Sequence, residues 1–385
     1  MDCSNGLGIR KALVAGMIRL GLVGVVFSSI TVLGAESLQP EQIGQEVLGD
    51  PLPTWFVAKN TMGPAYVFDS KTGDMQGLIS LTPYTPSIVR HAERREIYGA
   101  EIHYERLYNG KREDILSIID HETLAPIGEV DIPNKIASLA FPQYIGLMSD
   151  EEHVTIFNMT PAASVTVVNV VQRKFVGEIA TPGCALTMPV ENRSFLMLCG
   201  DGALQLVRLS DGGTEKDRHR SDAFFSVEED PVFDQPIRTG PSSWQLISFE
   251  GKIFDVSVEG TEIVVTEPWS VITEADKGWR VGGGQLMAIN THLDLLFVIV
   301  HEGGKDTHET PGKEVWVFNK DSKRRIAKMK MEKAVRSIMV TQSTSEPYLI
   351  ASRASEPIVD VYDVLTTKLR HSIPAGQTVN VLLPY

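Results

Sequence analysis

Cysteine is scarce in this chain, with three residues in 385. Cys3 lies at the very start, which leaves Cys184 and Cys199 in the body. They do not form a CxxC motif, which argues against a redox-active pair. No nearby pair of histidines completes a zinc site with them. An even pair fifteen positions apart points to a disulfide that closes a hairpin.

Basic charge is also in deficit. There are 36 Lys and Arg against 49 Asp and Glu, a formal net charge of −13, which argues against a nucleic-acid partner. Long apolar runs are missing from the body of the chain. The longest apolar run is Leu20–Ala35, 16 uncharged residues preceded by Arg10, Lys11 and Arg19. It is short for a bilayer span and reads as a secretory signal over residues 1–35, with cleavage after Gly34 or Ala35. An uncleaved N-terminal anchor is the alternative. No stable membrane span is expected once the signal is gone. Several catalytic signatures are absent too. Gly282–Gly284 has neither GxGxxG spacing nor a βαβ context, and there is no HExxH, nucleophilic triad or evident acid–base pair.

What the sequence has is repetition. Residues 313–330, KEVWVFNKDSKRRIAKMK, read as strand, polar turn, strand. Similar units occur at 65–79, 116–130, 165–179 and 357–373, marked by Asp69, Asp120, Asn169, Asn319 and Asp363. The intervals are 51 residues from Asp69 to Asp120, 49 from Asp120 to Asn169, and 44 from Asn319 to Asp363. Weaker copies at 202–209 and 251–258 fit the 150-residue gap. Periods of this size suggest propeller blades, which bury their faces only by closing into a ring. The expectation is an all-β, seven-bladed β-propeller of four-stranded antiparallel blades over 55–385, preceded by an arm over 36–54. A pair of β-sandwiches is the alternative.

Some stretches interrupt the pattern. Residues 86–98 hold His91, Arg94 and Arg95, a solvated turn or an anion contact. Residues 100–114 gather Tyr104, Tyr108, Arg106, Lys111 and Arg112, and read as an extended loop on one face. Residues 211–243 read as an irregular insertion that contains Glu228, Glu229 and Asp230. His301 and His308 with Glu302, Asp306 and Glu309 are a metal-site candidate or a charged surface hairpin.

Several of these idiosyncratic stretches carry a family resemblance. They are GKREDILSIID at 110–120, TPAASVTVVNV at 160–170, GCALTMPVENRSFLMLCGDGAL at 183–204, FFSVEEDPVF at 224–233, GWRVGG at 278–283 and HEGGKDTHETPGKEVWVFNKDSKRRIAKM at 301–329. Together they resemble the large subunit of the quinoprotein amine dehydrogenases, the methylamine and aromatic amine dehydrogenases, over nearly the whole chain after the leader. The resemblance implies a periplasmic complex of two large and two small subunits. The small subunit carries tryptophan tryptophylquinone. Primary amines are oxidised to aldehyde and ammonia, and electrons pass to a small blue copper protein. The large subunit binds no cofactor or metal and has no catalytic residue of its own. Two body cysteines are too few for the disulfide-rich small subunit. Large subunits place an aromatic residue from the first-blade loop in the substrate channel. Here that loop is a shorter KNTMGPA at 59–65. Candidate channel or small-subunit contacts are Met62, Phe56, Tyr104, Tyr108, Trp279 and Arg280. Methylamine, other alkylamines and arylethylamines all remain compatible substrates. A non-enzymatic exported propeller scaffold is the alternative from another class.

Overall fold

The computed structural model describes residues 47–60, 63–85, 87–134 and 139–385. The leader, the arm up to residue 46 and Met62 therefore lie outside the described residues. The regular structure described is antiparallel strand, apart from two short 3-10 turns. Among the described residues no helix is long and apolar enough to cross a membrane.

The chain meanders through six sheets. Strand Trp55–Lys59 pairs with Ala65–Asp69 on one side and with Val381–Pro384 on the other, so both ends of the body share a sheet. The next four sheets run through Ile88–His91 to Pro126–Ile132, Ile145–Leu147 to Lys174–Ala180, Cys184–Val190 to Glu215–Arg220, and Ile237–Gly240 to Glu262–Val265. The last of these gains a fifth strand, Trp269–Ser270. All remaining strands, from Trp279–Val281 to Leu369–Pro374, form one eight-stranded sheet.

This corrects the expectation of seven four-stranded blades. The fold is an all-β propeller in which five sheets follow a four-strand path and the other strands are joined in one continuous sheet. The reason lies in Arg324–Val340, a single strand of 17 residues. Its first part pairs with Gly312–Asn319 and its last part with Tyr348–Arg353. No glycine or proline interrupts RRIAKMKMEKAVRSIMV, so nothing separates the two ladders. Two further expectations change. Residues 100–114 are not a loop but the far half of the hairpin Glu96–Arg106 and Asn109–Asp120. The 211–243 stretch contains strands Glu215–Arg220 and Ile237–Gly240 around an irregular middle.

The core fills the spaces between adjacent sheets. Phe56, Phe68, Ile350 and Val361 make one such cluster where the eight-stranded sheet meets the closing sheet. The units at 65–79 and 357–373 are therefore neighbours, and Lys71 reaches across to Glu346. The Trp244 indole donates to the Pro189 carbonyl at 3.2 Å, satisfying a buried donor between two other sheets.

The innermost strands line an axial cavity of about 970 Å³. Antiparallel neighbours reverse direction, so the second-to-third-strand connections and the links to the next sheet emerge at the same end. That end carries the segments around 60–64, 104–111, 278–284 and 302–312.

Cys184 and Cys199 are cross-strand partners joined by a disulfide, 2.02 Å between sulfurs, within the packed core. Replacing both with alanine should lower unfolding stability by about 3 kcal/mol, the constraint expected for a loop of this size. Urea denaturation of the oxidised protein measures it, and an unchanged midpoint would contradict the assignment.

Candidate functional site

The face bearing the connections holds most of the residues singled out in the sequence. A cavity of about 610 Å³ opens there, bordered by Phe233, Asp234, Phe249, His308, Glu309 and Arg336. His308 stacks on Phe249, with centroids 3.9 Å apart and planes 15° from parallel, and meets the edge of Phe233 at 6.1 Å. The Nδ1 atom of His308 is buried without a hydrogen-bond partner. Asp234 faces the cavity. Enclosure by surrounding protein raises its pKa, with Glu309 adding to the effect and His308 opposing it.

On the other side of His308 lies a small pocket bordered by Glu228, Glu229, Glu250, Arg280 and Asp306. Arg280 Nη1 donates to the Trp279 carbonyl at 2.9 Å, and Nη2 stands 3.9 Å from Glu250 Oε2. Its Nε is buried and unpartnered. Trp279 packs on Trp316 at 5.3 Å, with Lys328 over both rings. The fold thus brings Arg280, His308 and part of the acidic trio together. Asp230 instead pairs with Lys252 at 2.9 Å and accepts the Glu250 amide.

The glycines of GWRVGG have packing roles. Gly283 has φ +119, and a Cβ there would lie 2.7 Å from the Arg336 carbonyl. At Gly282 a Cβ would strike the His301 ring at 2.8 Å. His301 is 5% exposed, and its Nδ1 lies 3.0 Å from the Glu302 carbonyl. Among the described residues, no group of three or more His, Cys, Asp or Glu is arranged to hold a metal ion.

A second feature of this face is the Glu96–Arg106/Asn109–Asp120 hairpin. Its strands have 11 and 12 residues, against 5 in Trp55–Lys59 and 6 in His153–Asn158. The excess of about five residues amounts to roughly 17 Å of strand. Leu107 turns the tip at φ +59 and is 81% exposed, and Tyr108 is 60% exposed. Tyr84 braces the hairpin edge-on, 6.4 Å from Tyr104 and 6.2 Å from Tyr108. Tyr84 was not apparent from sequence; its only signal was its place in a proline-rich link. Arg112 is held to buried Asp114 by two bonds of 2.6 Å. Phe56 is wholly buried against Phe68 and contributes packing rather than a surface.

This geometry offers aromatic and charged contacts. The comparisons with known proteins bear on what such a face is for. The family model described as methylamine dehydrogenase heavy chain matches residues 51–382. The chain belongs to the methylamine dehydrogenase heavy chain family. The heavy chain from Methylophilus methylotrophus is 27% identical over 314 residues, covering 80% of this chain and 76% of that one. The heavy chain from Paracoccus versutus is 26% identical over 315 residues, covering 80% and 72%. Among solved structures, a functionally unknown protein from Desulfotomaculum acetoxidans superposes with TM-score 0.58 at 11% identity, covering 85% of this chain and 97% of that one. A β-propeller domain from Myceliophteria thermophila gives 0.55 at 6% identity, covering 83% and 96%. These two likenesses concern the fold alone.

As a heavy chain, this protein has one unusual charge beside the family's first-blade connection. Lys59 is fully buried, and its Nζ donates to the carbonyls of Asn60 at 2.8 Å and Gly63 at 3.1 Å. Burial lowers its pKa from 10.5 to about 8, against the opposing pull of Glu101. Between those values the unfolded chain binds more protons than the folded one, so stability rises with pH across that window. Relative to Lys59→Met, the wild type should gain about 2–3 kcal/mol between pH 8 and 10. Urea titrations at a series of pH values test this. Parallel stability curves for the two proteins would contradict it.

Proposed function

We propose that this chain is the large, cofactor-free subunit of a periplasmic tryptophan tryptophylquinone amine dehydrogenase. In this reading residues 1–35 are a secretory signal and 36–54 an arm ahead of the propeller. Two copies combine with two small quinone-bearing subunits. The complex oxidises primary amines to aldehyde and ammonia and passes electrons to a small blue copper protein. The observation that carries the reading is the family match over residues 51–382.

The chain's own tryptophans do not fit the quinone. Trp279 and Trp316 are the closest pair, yet Trp316 is completely buried beneath Arg325 and Lys328. Its indole nitrogen is committed to Glu314 at 2.8 Å. An amine has no path to that ring, which supports the reading that the redox group is on the partner.

The role left to this chain is to bind, orient and shield. The connection-bearing face supports this, because a rigid ring can present fixed contacts around a reactive pocket and keep water out. The proposed contacts are the 59–65 connection including Met62, the Tyr104–Tyr108 hairpin, and the Trp279–Arg280 segment. Tyr108 and Leu107 have the exposure and character of interface anchors.

Expressed alone, the chain should show no quinone absorbance and no amine turnover. Co-expressed with the small subunit and its maturation proteins, it should yield amine-dependent reduction of a copper protein or dye. Turnover by the isolated chain would overturn the assignment. Failure to bind the small subunit would favour a scaffold for another exported complex.

A Leu107→Ser, Tyr108→Ala double variant should keep its thermal stability and bind the small subunit at least roughly tenfold more weakly. Surface-immobilised titration measures the affinity. Unaltered affinity would remove the hairpin from the interface.

A further inference from the structure

The cavity of about 610 Å³ beside His308 has acceptors without donors. Phe233 and Phe249 wall part of it, with ring centroids 4.7 Å apart, and the His308 ring lies over Phe249. Three backbone bonds hold this wall in place. The Phe233 amide donates to the Ile247 carbonyl, the Phe249 amide to that of Pro231 and the Gly283 amide to that of His308, each at 2.9 Å. Asp234 follows Phe233 directly and opens to the cavity. Glu309 acts on it as a like charge, and His308 opposes that effect.

Among the described residues, no Lys, Arg or His nitrogen comes within 4.0 Å of either carboxylate. Arg336 borders the same cavity but is not among the charges that act on Asp234. Gln235 borders it too and is only 7% exposed. Its Nε2 donates to the Ala140 carbonyl at 3.1 Å, while its Oε1 is buried with no partner. Two carboxylates and an amide oxygen thus lack donors on one stretch of chain and the loop beside it. Lysine and arginine side chains supply donors and carry no acceptor. Charge-assisted bonds to carboxylates are strong ones, and aromatic faces add attraction for a cation. Among the described residues these groups do not converge as metal ligands would, which suits a cation of several atoms. The adjacent small pocket has the same sign, with Glu228, Glu229, Glu250 and Asp306 against Arg280 and Lys305. A cleft lined mainly by one sign of charge draws the opposite sign in.

We propose that this cavity receives a basic side chain, lysine or arginine, by which the small subunit anchors itself to the ring. The identity of the partner rests on the amine dehydrogenase reading; the preference for a cation does not.

The test has two arms. In the first, the full chain is titrated calorimetrically with methylguanidinium and with butylammonium, against sodium at matched ionic strength to remove general screening. Expected is a saturable heat with at least one of the two beyond the sodium control, weakened at least roughly tenfold in Asp234→Asn, the loss expected for a charged hydrogen bond. Binding of one probe alone tells an arginine-like from a lysine-like occupant and supports the site. In the second arm, the small subunit is titrated onto the immobilised chain. An Asp234→Asn, Glu309→Gln double variant should bind it at least roughly tenfold more weakly and with a shallower salt dependence. Two results overturn the proposal: both probes behave like sodium with the wild-type chain, or the double variant keeps its affinity for the small subunit. Probe binding together with that unchanged affinity would make the occupant a free organic cation instead. A wild-type chain that ignores the small subunit would sink the subunit reading and the named partner with it, and the first arm would still decide the cation site. Should a variant fail to fold, the wild-type probe titrations decide.

Discussion

The structure depends on one strand pairing. Trp55–Lys59 hydrogen-bonds to Val381–Pro384, with Phe56 opposite Pro384 and Lys59 opposite Val381. Bringing together segments more than three hundred residues apart costs roughly 5 kcal/mol in loop-closure entropy. Phe56, Val57, Val381 and Leu382 are almost wholly buried at the seam, and each such burial contributes about 1.5–3 kcal/mol. The apolar contacts therefore offset the closure. Without the seam, the facing surfaces of the eight-stranded sheet and the first sheet would be open to water. The axial cavity would also lose the wall that Val381–Pro384 provides.

Closure fixes the positions of everything on the two faces. One face gathers the His308–Phe249 shelf, Arg280 with its acidic neighbours, and the raised hairpin with Leu107 at its tip. In the proposed role they serve as contacts. Their value is geometric, as contacts held by strands whose ladders are complete. Lys59 belongs to the same logic, because a buried ammonium bonded to two carbonyls ties the first connection to the sheet beneath it. Farther out, Arg353 grips fully buried Asp360 through two bonds of 2.9 and 3.0 Å, and so locks another hairpin on that side of the ring.

Much of the fold was legible in the sequence. Alternating apolar runs with Asp or Asn at the turns mark real strand pairs, and the faint copies at 202–209 and 251–258 are strands Leu204–Leu209 and Lys252–Glu259. The blade count was not legible from spacing alone, because Arg324–Val340 carries one ladder into the next without a break. The absence of a glycine or proline there was the signal to weigh. Tyr104 and Tyr108 were noticed as a cluster, but their bracing by Tyr84 depends on a link from a distant turn. Phe56 lies wholly buried, which a strand's period does not reveal when both of its faces are covered. The shelf at Phe249 and Asp234 was hidden for a related reason: its members come from separate sheets and share no local pattern.

The account turns on which face of the ring receives the partner. Hydrogen–deuterium exchange on the chain, alone and bound to the small subunit, tests this most directly. The account predicts new protection in segments 104–111, 278–284 and 302–312, with the turns at 70–74 and 121–125 on the opposite face unchanged. Protection confined to those opposite turns, with the hairpin and the Trp279–Arg280 segment unaffected, would contradict it.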